Sequence, residues 1–213
     1  MLSLLKRMPS EQPGPVLMGN RVLLRAPRMD DWSSWAAVRR ESRDFLTPWE
    51  PTWAHDSLTQ QSFRRRLRVQ QRERLAGTSS SFLIFERASD EVIGGITVAD
   101  IRRGVAQACT IGYWIGRRHA RMGYMSEGVA AVLDHIFESL RLHRVEAACL
   151  PDNVASRRLL AKLGFREEGL ARAYLKIDGR WQDHRLFAML ESEWQSHRPS
   201  FVDRPASAAL AGD

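Results

Sequence analysis

Ile111-Gly-Tyr-Trp-Ile-Gly-Arg-Arg-His-Ala-Arg-Met-Gly-Tyr-Met-Ser-Glu-Gly-Val129 is the stretch whose reading decides the fold. Its apolar opening, Ile111 to Ile115, reads as a short buried strand that Gly116 ends. Met125, Val129, Val132, Leu133, Ile136, Phe137 and Leu140 then recur at helical spacing, which predicts a helix from about Tyr124 to Leu140. The first turn of an α-helix carries N–H groups without intrahelical partners and the positive end of the macrodipole. Arg117, Arg118 and Arg121 gather at that end, so strand, basic loop and helix together read as an anion site suited to a diphosphate.

On the upstream side, Ser81–Arg87 and Val92–Val98 read as strands joined by a tight Asp90-Glu91 link, and Ala106–Ile115 is expected as a third antiparallel strand. Downstream, His143–Leu150 reads as a strand. Pro151-Asp152-Asn153 breaks it and caps a helix over Val154–Leu163, which Gly164 stops. Phe165–Gly169, Ala173–Ile177 and Arg185–Leu190 are expected as the closing strands, with a turn at Asp178-Gly179. Nearer the start, Arg21–Arg25 is a short strand, and Asp30 or Asp31 can cap a helix that carries Trp32, Trp35, Ala36 and Val38 and stops near Ser42.

Ser57–Ala76 is a predicted helix with Phe63, Leu67 and Leu75 inward and Arg64, Arg65, Arg66, Arg68, Arg72 and Arg74 outward. Between these helices lies Phe45-Leu-Thr-Pro-Trp-Glu-Pro-Thr-Trp53, where two prolines exclude regular structure. Four large apolar side chains surround the carboxylate of Glu50. The segment is either a loop pinned by its aromatics or the wall of a substrate pocket. The pattern as a whole is α+β: a mixed, mostly antiparallel sheet of about seven strands with helices on both faces. It divides into a flexible arm over residues 1–18, one domain over 19–194 and a disordered tail over 195–213.

At 213 residues the chain can bury a core without staples. Cys109 and Cys149 each sit in an apolar run and read as small buried hydrophobes. No window reaches the length of about eighteen apolar residues that a spanning helix needs. Met1-Leu-Ser-Leu-Leu-Lys-Arg-Met8 has its charges after its apolar patch, the reverse of a secretory signal, so a cytoplasmic protein without membrane attachment is expected. The net charge of +7 is almost all arginine, since the only lysines are Lys6, Lys162 and Lys176. Such a surface suits an acidic partner, whether a polyphosphate cofactor, an acidic protein or RNA; composition bias on a solvated surface accounts for it equally well. His119, His135, His143 and His184 are too scattered to suggest a metal site.

Gly123-Tyr-Met-Ser-Glu127, then Asp152-Asn-Val-Ala-Ser156 and Lys162-Leu-Gly-Phe165, resemble the GNAT acyl-CoA N-acyltransferases. Phe45-Leu-Thr-Pro-Trp-Glu-Pro51 and Tyr174-Leu-Lys-Ile-Asp-Gly-Arg-Trp-Gln-Asp-His184 narrow the likeness to the RimJ branch of ribosomal-protein-alanine N-acetyltransferases, and the match runs from about Arg21 to Leu190. The resemblance implies that acetyl-CoA is the acyl donor, with no metal. Its pantetheine arm would lie along Tyr113, Trp114 and Ile115, and its pyrophosphate would meet the N–H groups of Arg121, Met122, Gly123, Tyr124, Met125 and Ser126. Asn153 would cap its helix and touch the pantetheine. The loop departs from the usual pattern at Ala120, where Gln or Arg is common, at Met125, where Ala or Gly is common, and at Arg121, where this branch often has Gly.

The resemblance also implies catalytic roles. In many relatives a tyrosine at the place of Leu160 protonates the leaving thiolate. Ser156 is the alternative used in RimL-type enzymes, unless it is simply a helix-start serine bonded to its own backbone. RimL-like relatives carry a glutamate at the place of Ala173, so the general base falls to Glu50, with Asp183 as a second carboxylate; Glu50 as a mere surface carboxylate is the plainer reading. Glu127 is expected to stabilise the helix dipole. Trp49, Glu50, Tyr174 and Asp183 are the expected substrate contacts. The implied acceptor is the N-terminal alanine of a small-subunit ribosomal protein, with contact to ribosomal RNA. A small amine such as an aminoglycoside or polyamine, or a ribosome- and RNA-binding module with little catalysis, are the alternatives.

Overall fold

The computed structural model describes residues 14–198. Residues 1–13 of the expected arm and residues 199–213 of the expected tail lie outside the described residues. One eight-stranded sheet organises the protein. Its order is β1 (Leu17–Met18), β2 (Val22–Arg25), β3 (Ser80–Glu86), β4 (Glu91–Arg102), β5 (Ala108–Ile115), β6 (Arg144–Cys149), β8 (Arg180–Leu190) and β7 (Arg166–Ile177). Every neighbouring pair is antiparallel except β5 and β6. The eighth strand is β1, which takes Leu17 and Met18 out of the expected arm and pairs them with Leu24 and Leu23.

Helices α4 (Tyr124–Asp134) and α5 (Val154–Lys162) pack with the larger core cluster, while α1 (Trp32–Glu41) and α3 (Gln60–Ala76) pack with a second cluster around Trp35, Phe63 and Leu83. Helix α4 begins at Tyr124 as expected, but it is buried all round from Met125 to Asp134 rather than on one face. At His135 it relaxes into a π-helical turn over His135–Ser139, so the single helix expected to Leu140 is two segments. Burial of Val129, Val132, Leu133 and Ile136 makes this the anchor of the fold, at roughly 1.5–3 kcal/mol for each such side chain. Both cysteines are buried, as expected, and burial pushes the Cys109 thiol up to about 12.

Other boundaries moved for local reasons. The β3–β4 link is Arg87–Asp90, with Glu91 already paired to Glu86 in β4 and Asp90 left-handed at φ 56°. The expected Phe165–Gly169 and Ala173–Ile177 merge into one β7, interrupted by register shifts at Glu167/Gly169 and Ala171/Leu175, and the last strand, β8, begins at Arg180 rather than Arg185. Thr59, whose hydroxyl accepts from the Ser62 N–H, starts α3 at Gln60 rather than Ser57, and Leu75 near its end is 65% exposed, not inward. The proline segment is helical after all. A short α2 (Arg43–Leu46) and a 3₁₀ turn over Thr47–Trp49 precede Glu50, because Pro48 falls in the first turn, where no N–H is needed. A final helix α6 (Glu191–His197) carries the domain past residue 194.

Candidate active site

The parallel pairing of β5 with β6 stops at Thr110 opposite Glu146. Beyond it, Ile111–Ile115 stays bonded only to β4, and Ala147–Cys149 only to β8. The two strands therefore part into a V whose inner edges present backbone groups with no partner strand. A backbone groove of this kind can pair with an extended chain of amides.

At the mouth of the V, Gly123 caps α4 in the left-handed region at φ 90°. Glu127 makes the first intrahelical bond, to the Gly123 carbonyl, which leaves the N–H groups of Tyr124, Met125 and Ser126 pointing out of the helix end. The left-handed backbone favours glycine at 123, and a Cβ there would also come within 3.0 Å of Arg21 Nη2, a contact that the flexible arginine would have to relieve. Arg21 donates from its backbone N–H (2.8 Å) and Nε (2.7 Å) to the Glu127 carboxylate and from Nη2 (3.0 Å) to the Met122 carbonyl. Glu127 is thereby pinned to β2, with its charge matched by Arg21 as well as by the helix end. Tyr124 turns away from the mouth. Its hydroxyl donates to Glu86, which holds the phenol above its ordinary value. Met125 and Ser126 are buried, whereas Arg121 is exposed, left-handed at φ 62° and free to meet an anion.

Deeper in the V, the Tyr113 hydroxyl lies 2.7 Å from Ser156 Oγ. Ser156 stands in the first turn of α5, where Asn153 Oδ1 accepts its backbone N–H at 3.0 Å, confirming the cap. The Ser156 hydroxyl turns to Tyr113 instead of its own backbone, and burial pushes the neighbouring Cys149 thiol up. Burial likewise pushes the Tyr113 phenol well above its ordinary value, so it stays protonated.

Side chains alternate along β5, so Tyr113 faces α4 and α5 while Trp114 faces α1 and α3. Trp114 borders a 570 Å³ cavity lined also by Arg39, Glu50, Trp53, Arg66 and Gly112. Glycine at 95 makes room for the indole, since a Cβ there would lie 2.6 Å from Trp114 Nε1. Arg39 from α1 is sandwiched between the rings of Trp53 (4.2 Å) and Trp114 (4.8 Å) and holds Glu50 with two hydrogen bonds of 2.8 and 2.6 Å. Trp53 Nε1 donates to the same Glu50 Oε2 at 2.8 Å. Glu50 is thus a fixed ion-pair member on the cavity wall. One lone pair of its Oε1 remains for a ligand. The Glu50 carbonyl accepts from the Asp178 N–H at 3.0 Å, which ties this wall to the tip of the β7–β8 hairpin.

The expected substrate contacts are not all brought together. Trp49 is at the surface, outside the cavity wall. Asp183 accepts the Ala173 N–H at 2.8 Å, and Ala173 is left-handed at φ 46°; the carboxylate secures a bulge in β7. Tyr174, the next residue, lines a second cavity. Arg66, expected in the solvated arginine row of α3, lines the first cavity, 5.5 Å over the Trp35 ring. Arg39 escaped sequence reasoning. Its signal was the demand for a cation beside Glu50 in an apolar loop, yet Arg39, Arg40 and Arg43 answered it equally until α1 fixed which one faces inward.

Residues 21–166 match the model of an acetyltransferase (GNAT) domain. The chain is 34% identical over 178 residues to the probable N-acetyltransferase YjcK of Bacillus subtilis (strain 168), covering 84% of this chain and 98% of that protein. It is 33% identical over 189 residues to the [ribosomal protein uS5]-alanine N-acetyltransferase of Escherichia coli (strain K12), covering 89% of this chain and 97% of that one. Among solved structures, Mycobacterium smegmatis RimJ in complex with CoA-disulfide is 34% identical and superposes with a TM-score of 0.77 over 85% of this chain and 88% of that chain. The splayed strands, the glycine-capped helix mouth and these likenesses agree, and the chain belongs to the GNAT N-acetyltransferases.

Proposed function

We propose that the protein is an acetyl-CoA-dependent N-α-acetyltransferase that transfers the acetyl group directly to the N-terminal amine, an alanine, of a small-subunit ribosomal protein. The observation that carries this reading is the V between β5 and β6: a protonated hydroxyl pair lies on one of its sides, and a cavity holding one oriented carboxylate lies on the other. The open edge of Ile111–Ile115 pairs with the pantetheine amides, and the N–H groups of Tyr124, Met125 and Ser126 with Arg121 receive the diphosphate. This recognition uses backbone donors, so Ala120 and Met125 are compatible with it. The similarity to the uS5-alanine enzyme over nearly its whole length supports the acceptor class.

An N-terminal amine, with a pKa of about 7.7–8, is partly neutral at cellular pH and needs no strong base. The free lone pair of Glu50 Oε1 orients it and, directly or through water, accepts the proton that the nitrogen must shed as it bonds the carbonyl carbon. A backbone N–H on the open edge of β5 faces the carbonyl oxygen as charge develops there. As the carbon–sulfur bond breaks, Ser156 gives its hydroxyl proton to the sulfur and regains one from solvent, while Tyr113, which stays protonated, fixes the direction of the serine hydroxyl. The exposed Arg64, Arg65, Arg68 and Arg72 of α3 suit phosphates of ribosomal RNA around such an acceptor, and a ribosomal acceptor places the reaction in the cytoplasm.

Two peptides of one sequence, with a free or a blocked N-terminal alanine and one internal lysine, test the reading by mass. One acetyl on the free peptide alone is expected, with turnover roughly 100-fold lower in Ser156→Ala if the hydroxyl acts as the acid. Acetylation of the blocked peptide, or of neither, overturns the N-α assignment.

A further inference from the structure

A second cavity of 640 Å³ lies on the same face of the sheet, and Thr97 lines both. The first cavity touches β4 at Ile96 and Thr97 and β5 at Gly112–Trp114; the second continues along β4 from Thr97 to Arg102 and reaches Thr110 on β5. The two are consecutive stretches of one groove over β4 and β5. Its floor consists of Ser81, Thr97, Gly112, Ala99 and Thr110, small or hydroxylated residues that leave the sheet surface low, and the Ser81 and Thr97 hydroxyls contact one another at 3.4 Å. α3 forms one wall throughout, with Ser62, Arg66 and Gln70 in the first stretch and Glu73 in the second. At the far end stands Tyr174, projected by the bulge that Asp183 holds.

We infer that this second stretch binds the acceptor polypeptide beyond its first residues, in extended form, and favours cationic side chains there. The inference rests on the N-α-acetyltransferase reading. From Trp114 to Thr110 is four residues of strand, so an extended chain with its amine at Glu50 brings about its fourth to sixth residues over the second stretch, at about 3.3 Å each. The charges in that stretch set the preference. Glu146 is neutralised by Arg102 (2.5 Å) and Arg144 (2.9 Å), which also engages Glu168. Glu73 and Asp100 carry the remaining negative charge, and Asp100 Oδ2 accepts from the Thr110 hydroxyl at 3.2 Å. A protein with a net charge of +7 thus presents a net-negative channel to its acceptor in this second stretch, where Glu73, Asp100 and Glu146 face the single Arg102. Its arginine-rich exterior and this channel recognise different parts of a partner that carries both phosphates and basic tails.

The test uses the full chain, acetyl-CoA and peptides that all begin with the same three residues: the tripeptide, and nonapeptides carrying lysine or glutamate at positions 4 to 6. The lysine nonapeptide is expected to exceed the glutamate one in kcat/KM by roughly 10-fold, the product of two partly screened ion pairs. In the double variant Glu73→Gln, Asp100→Asn the lysine-to-glutamate ratio should fall below about 2-fold. Both replacements are isosteric, and asparagine tolerates the left-handed conformation of residue 100 (φ 49°). Equal kcat/KM for all three peptides overturns the groove and leaves N-α-acetylation standing. A ratio that survives the double variant overturns the assignment to these two carboxylates. If no peptide is acetylated, both readings fall.

Discussion

The two faces of the central sheet do different things with the same strand. On the side of α4 and α5, β5 contributes Cys109, Ile111, Tyr113 and Ile115 to a continuous apolar core, and the atoms left for a ligand are backbone groups of the splay and of the α4 mouth. On the side of α1 and α3, Gly112 and Trp114 border open cavities whose polar atoms come from side chains: Arg39, Glu50, Trp53, Arg66 and Thr97. A site made of main chain depends on conformation and tolerates substitution, whereas a site made of side chains is defined by which residues they are. On the proposed function, the first side would hold the constant acyl donor and the second would choose the acceptor.

The sharpest way to break this comparison is at Arg39. Arg39→Met leaves the Glu50 carboxylate unpaired among Trp53 and Trp114, which should cost roughly 3 kcal/mol and lower the melting temperature by about 6–12 °C. Arg39→Met combined with Glu50→Met should regain most of that stability while losing acceptor turnover, and calorimetry beside the peptide assay separates the two effects. A double variant as unstable as the single one would show that Arg39 matters through packing alone.

Gly123→Val probes the backbone-made side. A β-branched residue at φ 90° and against Arg21 strains the α4 mouth by about 1–2 kcal/mol. Titration calorimetry should then show acetyl-CoA affinity reduced roughly 10-fold, with acceptor KM changed far less. If affinity for acetyl-CoA is unaltered, the mouth of α4 is not where the diphosphate binds.

The smallest expected effect is a pH dependence at the edge of the same mouth. The Tyr124 hydroxyl, then that of Ser89, holds the Glu86 carboxyl below its ordinary value. A carboxylate whose native pKa is depressed stabilises the fold fully above its unfolded value, and that contribution is lost as pH falls through the native one. Tyr124→Phe should accordingly lower the melting temperature slightly at neutral pH, and the two curves should converge in acid. Curves that stay parallel would mean that the pair contributes through packing instead.

How much of this was legible depends on the range of the interactions. The start of α4 at Tyr124, the Asn153 cap and the hairpin of β3 with β4 were readable, because capping, turn chemistry and periodicity act within a few residues. The proline segment misled because proline excludes helix interiors but suits first turns, and Thr47–Trp49 is one. Leu75 misled because helical spacing gave it a buried place that the neighbouring elements do not cover. Glu50 lines the first cavity, yet its cationic partner Arg39 lies on α1, so its ion pairing could not be read from its own loop.

By itself the sequence determined most of the succession of strands and helices, the basic loop before α4 and, through five motifs, the family. These are properties of contiguous residues, written in local spacing. Only the tertiary structure decided that β5 and β6 part after Thr110, that the Ser156 hydroxyl meets Tyr113, that Asp183 braces a bulge and that two cavities share Thr97. Those facts depend on strand register and on which face of each element turns inward, and both are set by packing between residues far apart in the chain.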